Sequence, residues 1–395
     1  MKKELRNVIF LYLSFVLVKI LLSYFIPSSR ALSDDYQYLK MSESFFYHFS
    51  LRVHDTFSGQ LYPLYPIMIS VVHVFKDNNL VYFAIKFINS LLSSLIIFPA
   101  YFLSKEFLSK KNSFLAAIFV SLLPANFLLT SYIMAENLFY SLFSISFYFI
   151  YMLFKYRTLK YYILSFLFSF LALFTRIHGM ILFMLLLVFL ILEFRDKKFY
   201  FRYIFSIFLF LIISILFFYY TRNVLSNLYI NQLIAIIESK RIFAFFVKYI
   251  AYLGFLLLAS GLILMLPFFI SFLNKDKNVK LFRRLSVLTI FITLIISSLH
   301  ALHSVNYFYS FNDIVITAGR IIGRYVDFTL PIFVILGFIG LDFYFKNKIS
   351  NILLKKITFL IFIIMSFTLT IIFSPLVPYN NISLTSFGAV KYFTD

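Results

Sequence analysis

Acidic residues are scarce in this chain, so where they stand is informative. Asp34 and Asp35 sit side by side in Ser33-Asp34-Asp35-Tyr36, straight after the first long apolar run. Adjacent carboxylates repel, and placing two at the end of a hydrophobic segment costs stability unless solvent, a cation or a substrate offsets it. A solvated loop start accounts for them without chemistry, and a general base held at an interface accounts for them with it. Glu136, in Met134-Ala135-Glu136-Asn137, is flanked tightly by apolar segments. It is either an ordinary helix-end charge or a carboxylate that meets a polar cavity or a partner. The cations of interest are Arg176, in Thr175-Arg176-Ile177-His178-Gly179, and Arg320 with Arg324, in Gly319-Arg320-Ile321-Ile322-Gly323-Arg324-Tyr325. The spacing of four puts Arg320 and Arg324 on one helical face. Two guanidiniums side by side suit an anionic group, because the planar fork grips phosphate oxygens at any pH. Interfacial anchoring is the plain alternative.

The elements that must position these groups follow from composition. A chain of 395 residues that is 62% hydrophobic and 13% charged, with a mean hydropathy of +0.93, cannot hide its apolar surface in one soluble core. Runs such as 8–26, 113–131, 203–220, 250–272, 285–299 and 357–374 approach the roughly 20 residues that span a hydrocarbon core as a helix. They are continuously apolar, which excludes a strand barrel. The expected fold class is an all-α integral membrane protein, a single polytopic domain over 1–395. The net charge of +20 invites a nucleic-acid reading, yet the basic residues lie in short clusters between apolar runs, so no nucleic-acid partner is expected. Cysteine is absent, which leaves no disulfide framework and no thiolate chemistry. The first run follows Lys2, Lys3 and Arg6 without a small-residue cleavage site and is read as a span.

With Met1–Asn7 inside, alternate loops should be rich in Lys and Arg. They are: Lys105/Lys110/Lys111, Lys155/Arg157/Lys160, Arg195/Lys197/Lys198/Arg202, Lys275/Lys277/Lys280/Arg283/Arg284 and Lys346/Lys348/Lys355/Lys356 all fall on one side. The alternation holds only if 62–75, which carries two prolines and about a dozen apolar residues, does not cross and lies in the interface. About 11 spans result, with a cytoplasmic N-terminus and an outer tail at 375–395. The first outer loop, 27–79, is expected to carry one or two interfacial helices, with Glu43, His48, Arg52, His54, Asp55 and Gln60 among its polar residues.

This threading changes the reading of Arg176. Only about 15 residues, roughly 22 Å of helix, separate it from Lys160, short of a 30 Å hydrocarbon core. The next segment, Met180 to Leu192, is equally short. Thr175–Gly179 should then be a tight turn recessed in the outer leaflet, lining a cavity, unless local thinning or snorkelling absorbs the mismatch. Lys19 in the first span either snorkels or contacts a polar pocket. His300 and His303 are spaced i, i+3, but their segment has no acidic or thiol ligand nearer than Asp313, so no metal is expected. No phosphate-cradling glycine loop, HExxH or nucleophile elbow is present, which removes ATPases, zincins and serine hydrolases.

In order, the chain presents Asp34-Asp35 after span one, Tyr62-Pro63-Leu64-Tyr65-Pro66, Ala135-Glu136 opening span four, the Thr175-Arg176 turn, and Arg324-Tyr325 with Pro331 in span ten. This order resembles the GT-C superfamily of membrane glycosyltransferases. The nearest branches in look are those of protein O-mannosyltransferases, aminoarabinose transferases and dolichyl-phosphate-mannose-like transferases. The resemblance runs from span one to span ten. It implies a polyprenyl-phosphate sugar donor bound at the outer face, inversion at the anomeric carbon, and the first outer-loop aspartate as catalytic base. By resemblance Asp34 is that base and Asp35 the second acidic residue. Several branches carry Asp-Glu where this chain has Asp-Asp, so which of the two is the base stays open.

The chemistry of the residues agrees with that implication. An outer compartment offers no nucleotide sugar, so a donor there is membrane-borne, and its leaving phosphate needs its developing charge stabilised. Arg176, Arg324, Arg320 and Tyr325 are the candidates for that phosphate, without a metal or other cofactor. Glu136, Tyr62, Tyr65 and His54 are the candidates for sugar or acceptor hydroxyls, with interfacial anchoring the alternative for the tyrosines. The expected partners are the lipid-linked donor, a glycan, lipid or protein acceptor, and membrane lipids. Two rivals share these features. A polymerase or ligase of lipid-linked glycans would take a pyrophosphate donor, and a flippase or transporter would carry ionisable residues near the midplane on broken helices.

Overall fold

The computed structural model describes residues 2–25, 33–53, 56–57, 62–194, 234, 242–260, 262–303, 322–347 and 354–363. Helix dominates them. Helix α1, Lys2–Tyr24, is about 34 Å long, enough to cross a bilayer. Its exposed residues include Phe10, Leu13, Leu17 and Leu21, a lengthwise apolar stripe at helical spacing. Water would not tolerate such a face, and lipid would.

The chain then forms α2, Ser33–His48, and a two-residue antiparallel pair, Arg52–Val53 with Thr56–Phe57. Helix α3, Leu64–Ile69, runs into a 3-10 turn at Ser70–Val74. At 64–74 this apolar helix is shorter than the roughly 20 residues a span needs. Ser42 of α2 bonds His73 Nε2 across 2.8 Å and ties the two segments together.

Helix α4, Asn78–Ser94, begins where the Asp77 side chain accepts the Asn79 amide hydrogen, and continues with little bend into α5, Ile97–Ser104. Helix α6, Lys110–Leu122, is capped by Ser109 and stops at Leu123, which is extended (ψ 128°) because Pro124 follows. Beyond lies α7, Pro124–Leu128, with a 3-10 turn at Leu129–Ser131, turned 62° from α6. The apolar run 113–131 is therefore a broken helix and not one straight span. Asparagine side chains satisfy the carbonyls freed by the break: Asn126 donates to Val120 O at 2.7 Å, and Asn137 to Leu129 O at 2.9 Å and Met134 O at 3.1 Å.

Helix α8, Glu136–Tyr156, packs along α9, Leu159–Leu173, through a bond between Ser146 and Ser169 hydroxyls. Helix α10 follows at Met180–Phe194. The run 250–272 is also broken, into α11, Ile242–Ala259, and α12, Leu262–Ile270. Helix α13, Lys277–His303, starts at Asp276, whose carboxylate accepts the Asn278 and Val279 amides. Helix α14, Leu330–Lys346, lies along α12 at close range, since a Cβ on Gly340 would overlap the Pro267 carbonyl.

Among the described residues four stretches are long and apolar enough to cross a membrane, Lys3–Tyr24, Asn78–Ser104, Glu136–Tyr156 and Asp327–Lys346, or up to six crossings if each broken pair counts as one. These helices do not establish the expected count of about 11. The run 203–220, most of 357–374 and the tail 375–395 lie outside the described residues.

The core between the helices is aromatic, with Phe143 against Phe328 at 4.5 Å and Phe268 stacked on Phe333 at 4.4 Å. Lys19 is buried inside it and donates to Ser93 Oγ at 2.8 Å, so it contacts a polar group. Ion pairs stand at both ends of α8, about 28 Å apart between Glu136 and Lys155. At one end Lys155 pairs with Glu106 at 2.6 Å, and Glu4 pairs with Lys105 and Lys110. The other end holds the candidate site.

Candidate active site at one end of the helix bundle

The turn that carries Arg176 is made by two short helices. Helices α9 and α10 are 15 residues each. Between them Thr175 bonds back to Leu171 O at 2.8 Å, Arg176 is extended (φ −157°, ψ 147°), and a 3-10 turn runs over Ile177–Gly179. Gly179 presses directly on the end of α9, where a Cβ would come 2.5 Å from the Leu173 nitrogen. The segment after Tyr62 is fastened to the same turn, since Leu64 N donates to Phe174 O at 3.2 Å.

Arg324 arrives from a different direction, on a 3-10 turn at Gly323–Tyr325 that precedes α14. Three helices hold that turn. Tyr140 of α8 donates to Arg324 O at 3.4 Å, Ser297 of α13 to Tyr325 O at 2.9 Å, and the Ile322 amide to the Tyr252 hydroxyl of α11 at 3.2 Å. Glu136 stands at the N-terminus of α8, where the helix dipole favours a negative charge. Asp34 opens α2.

These four groups meet. Arg324 Nη1 lies 2.8 Å from Asp34 Oδ2 and 3.7 Å from Glu136 Oε1, and Arg176 pairs with the same Glu136 oxygen. Glu136 is 1% exposed and Asp34 28%. The network carries two positive and two negative charges, so no buried charge is left uncompensated. Glu136 Oε2, by contrast, is buried without a hydrogen-bond partner among the described residues. A carboxylate oxygen is an acceptor, and this one leaves its capacity unused among the described residues.

The remaining candidates are placed unevenly. Asp35 is buried, at 2% exposure, on the other side of the first turn of α2. Tyr62 is half-buried next to the Arg176 turn. Desolvation pushes its phenol up to about 12, with the nearby Arg176 charge and a bond from the Ile177 amide opposing the rise. Tyr65 is fully buried and donates to Asn89 Oδ1 at 2.9 Å, so it supports the site's wall. Tyr325 lies between the two guanidiniums, 6.0 Å from Arg176 and 5.8 Å from Arg324, within cation–π range. His54 and Arg320 lie outside the described residues.

Reading the sequence alone left out several neighbours. His178 is buried and stacked on Tyr325 at 5.4 Å, and its Nε2 has no hydrogen-bond partner among the described residues. His300, weighed only as a metal ligand, meets the Tyr325 ring edge-on at 4.4 Å. Among the described residues no three His, Asp or Glu side chains converge as a metal site requires. Tyr38 lies four residues after Asp34 and so on the same helical face, a spacing that could have flagged it. Desolvation raises its phenol, with the charges of Arg176, Glu136 and Asp34 all acting on it. Asp327, in the turn after Tyr325, is also buried.

No family model and no curated protein matches the chain. Its fold is similar to that of ArnT from Cupriavidus metallidurans in the crystal structure bound to undecaprenyl phosphate. The TM-score is 0.55 at 13% identity, over 90% of this chain and 63% of that one. The chain thus spans less than two thirds of ArnT's length, and what the two share at this identity is the fold.

Proposed function

We propose that the chain is a GT-C-type glycosyltransferase that moves a sugar from a polyprenyl-phosphate donor to an acceptor hydroxyl at the outer membrane face, with inversion. The observation that carries this reading is the four-residue ion network. Asp34, Glu136, Arg176 and Arg324 come from four separate elements and meet at one end of an apolar bundle. The fold likeness to ArnT, a protein crystallised with undecaprenyl phosphate, supports a lipid phosphate as the group the arginines take.

In this reading the donor phosphate enters between Arg176 and Arg324, and its bidentate guanidinium contacts replace those now made by carboxylates. Asp34, released from Arg324, accepts the proton of the acceptor hydroxyl as that oxygen attacks the anomeric carbon. The bond from that carbon to the phosphate oxygen breaks, and its electron pair leaves on the polyprenyl phosphate, where the two arginines stabilise the new charge. Asp34 contributes through alignment, since its basicity is far below that of an alkoxide. Glu136 Oε2 and the Tyr62 and Tyr38 hydroxyls orient the sugar, and Asp35 is the second acidic residue.

The test is release of polyprenyl phosphate from a panel of polyprenyl-monophosphate and pyrophosphate sugars by the protein in nanodiscs. Turnover of a monophosphate donor that is lost in both Asp34→Asn and Arg324→Ala supports the reading. Turnover of pyrophosphate donors alone assigns the site to a polymerase or ligase, and transbilayer movement without cleavage assigns it to a flippase.

A further inference from the structure

At the end of the bundle opposite the ion network, α1 and α6 diverge beside α5 and leave a groove of about 420 Å³, within the usual size of a small-ligand pocket. Its lining changes character with depth. Lys110 and Lys111 begin α6 at the mouth, and Phe114, Leu115 and Ile118 follow one and two turns further in on the same helix. Glu4 closes the other side of the mouth, and its carboxylate is already taken by Lys105, at 2.5 Å, and by Lys110. Three lysines therefore face one glutamate. Lys111 is exposed, and no acidic side chain pairs with it among the described residues.

The groove opens beside α1, whose span is only 17% buried; with α1 across a bilayer, lysines at the helix start sit among the head groups and the apolar floor meets hydrocarbon. In a membrane such a groove is filled by lipid, and its charge decides which lipid. A zwitterionic head group brings a cation against the lysines, whereas an anionic one brings only complementary charge, and the N-terminal dipole of α6 acts in the same direction. We propose that this groove binds one anionic phospholipid, its phosphate at Lys110 and Lys111 and an acyl chain along Phe114, Leu115 and Ile118. The site is separate from the ion network and does not depend on the transferase reading.

The experiment is native mass spectrometry of the full-length protein released from nanodiscs of equimolar phosphatidylglycerol and phosphatidylcholine with identical chains. One phosphatidylglycerol should be retained in preference. Lys111→Gln should cut that preference about fivefold, the effect of one lysine at a membrane surface, and Lys111→Arg should restore it. Ile118→Phe, which fills the floor, should lower retention of either lipid. Lys277→Gln removes an exposed charge from the start of α13, outside the groove, and should leave retention unchanged. Millimolar inorganic phosphate, which lacks the acyl chain, should not displace the lipid. Equal retention of both lipids, an unchanged preference in Lys111→Gln, or an equal loss in Lys277→Gln would each overturn the proposal, the last by showing a diffuse attraction and no site.

Discussion

Arg324 Nη1 lies 2.8 Å from Asp34 Oδ2, so the group proposed to hold phosphate is also paired with the proposed base. A guanidinium cannot serve a carboxylate and a phosphate equally well in one geometry, and the two anions compete for it. Removing the Asp34 charge should therefore separate binding from turnover. Asp34→Asn is expected to lower kcat by about 10²- to 10⁴-fold while binding undecaprenyl phosphate a few-fold more tightly than wild type. Arg324→Ala should lose about 10²- to 10³-fold in kcat together with affinity. Equilibrium binding of radiolabelled undecaprenyl phosphate to both variants checks this, and weaker binding in Asp34→Asn would refute the competition.

The Arg176–Glu136 pair makes a prediction about stability. Arg176 is 12% exposed and Glu136 1%, so neutralising one partner strands a desolvated charge. Glu136→Gln should destabilise the protein by about 3–5 kcal/mol, read as a lowered thermal midpoint in detergent. The double variant Glu136→Gln/Arg176→Gln should regain much of that loss and remain inactive. Additive losses in the double variant would show that the two residues act separately.

The tight turn that carries Arg176 was legible because helix length is countable: the basic residues and the glycine bound two short segments, and the structure has two 15-residue helices joined there. The shortness of the apolar helix at 64–74 was legible in the same way, from the prolines at its start and the length of the run. Hydropathy could not show where long apolar runs break, since averaging over 113–131 hides the bend at Pro124. Nor could it separate Asp34 from Asp35. The two are identical in sequence terms, yet about 100° of helical rotation leaves one at 28% exposure beside Arg324 and buries the other. Which carboxylate meets which arginine depends on packing among distant helices, and no local pattern records it. His178 was in view as part of the turn, but its stacking on Tyr325 arises only when α14 docks.

Gly179 provides a test of the turn that leaves every charged residue in place. A methyl group there would meet the Leu173 nitrogen at 2.5 Å and the Ala172 carbonyl carbon at 2.7 Å, both backbone atoms that cannot rotate away. Gly179→Ala must push the turn off the end of α9, at a cost of about 1–3 kcal/mol, and carry Arg176 with it. The expected outcome is a lowered thermal midpoint together with a loss of turnover at saturating donor. A variant as stable and as active as wild type would mean that the turn relaxes without moving the guanidinium.

His73 sets a pH dependence for the docking of α2, and with it for the placement of Asp34. Burial against α2 holds the imidazole below its ordinary value of 6.5, with Lys40 adding to the depression and Glu43 opposing it. Its Nε2 is 2.8 Å from Ser42 Oγ, and its backbone carbonyl accepts from Tyr47 at 3.3 Å. A histidine with a depressed folded value binds fewer protons than the undocked one near pH 6.5, so docking is fully stable above that pH and weakens as pH falls through it. Amide hydrogen exchange of 33–48, corrected for its intrinsic pH dependence, should therefore show faster opening at about pH 5.5 than at about pH 7.5. His73→Gln keeps a hydrogen-bonding group without a titrating ring and should flatten that difference, and an unchanged pH response in this variant would assign the effect to another group.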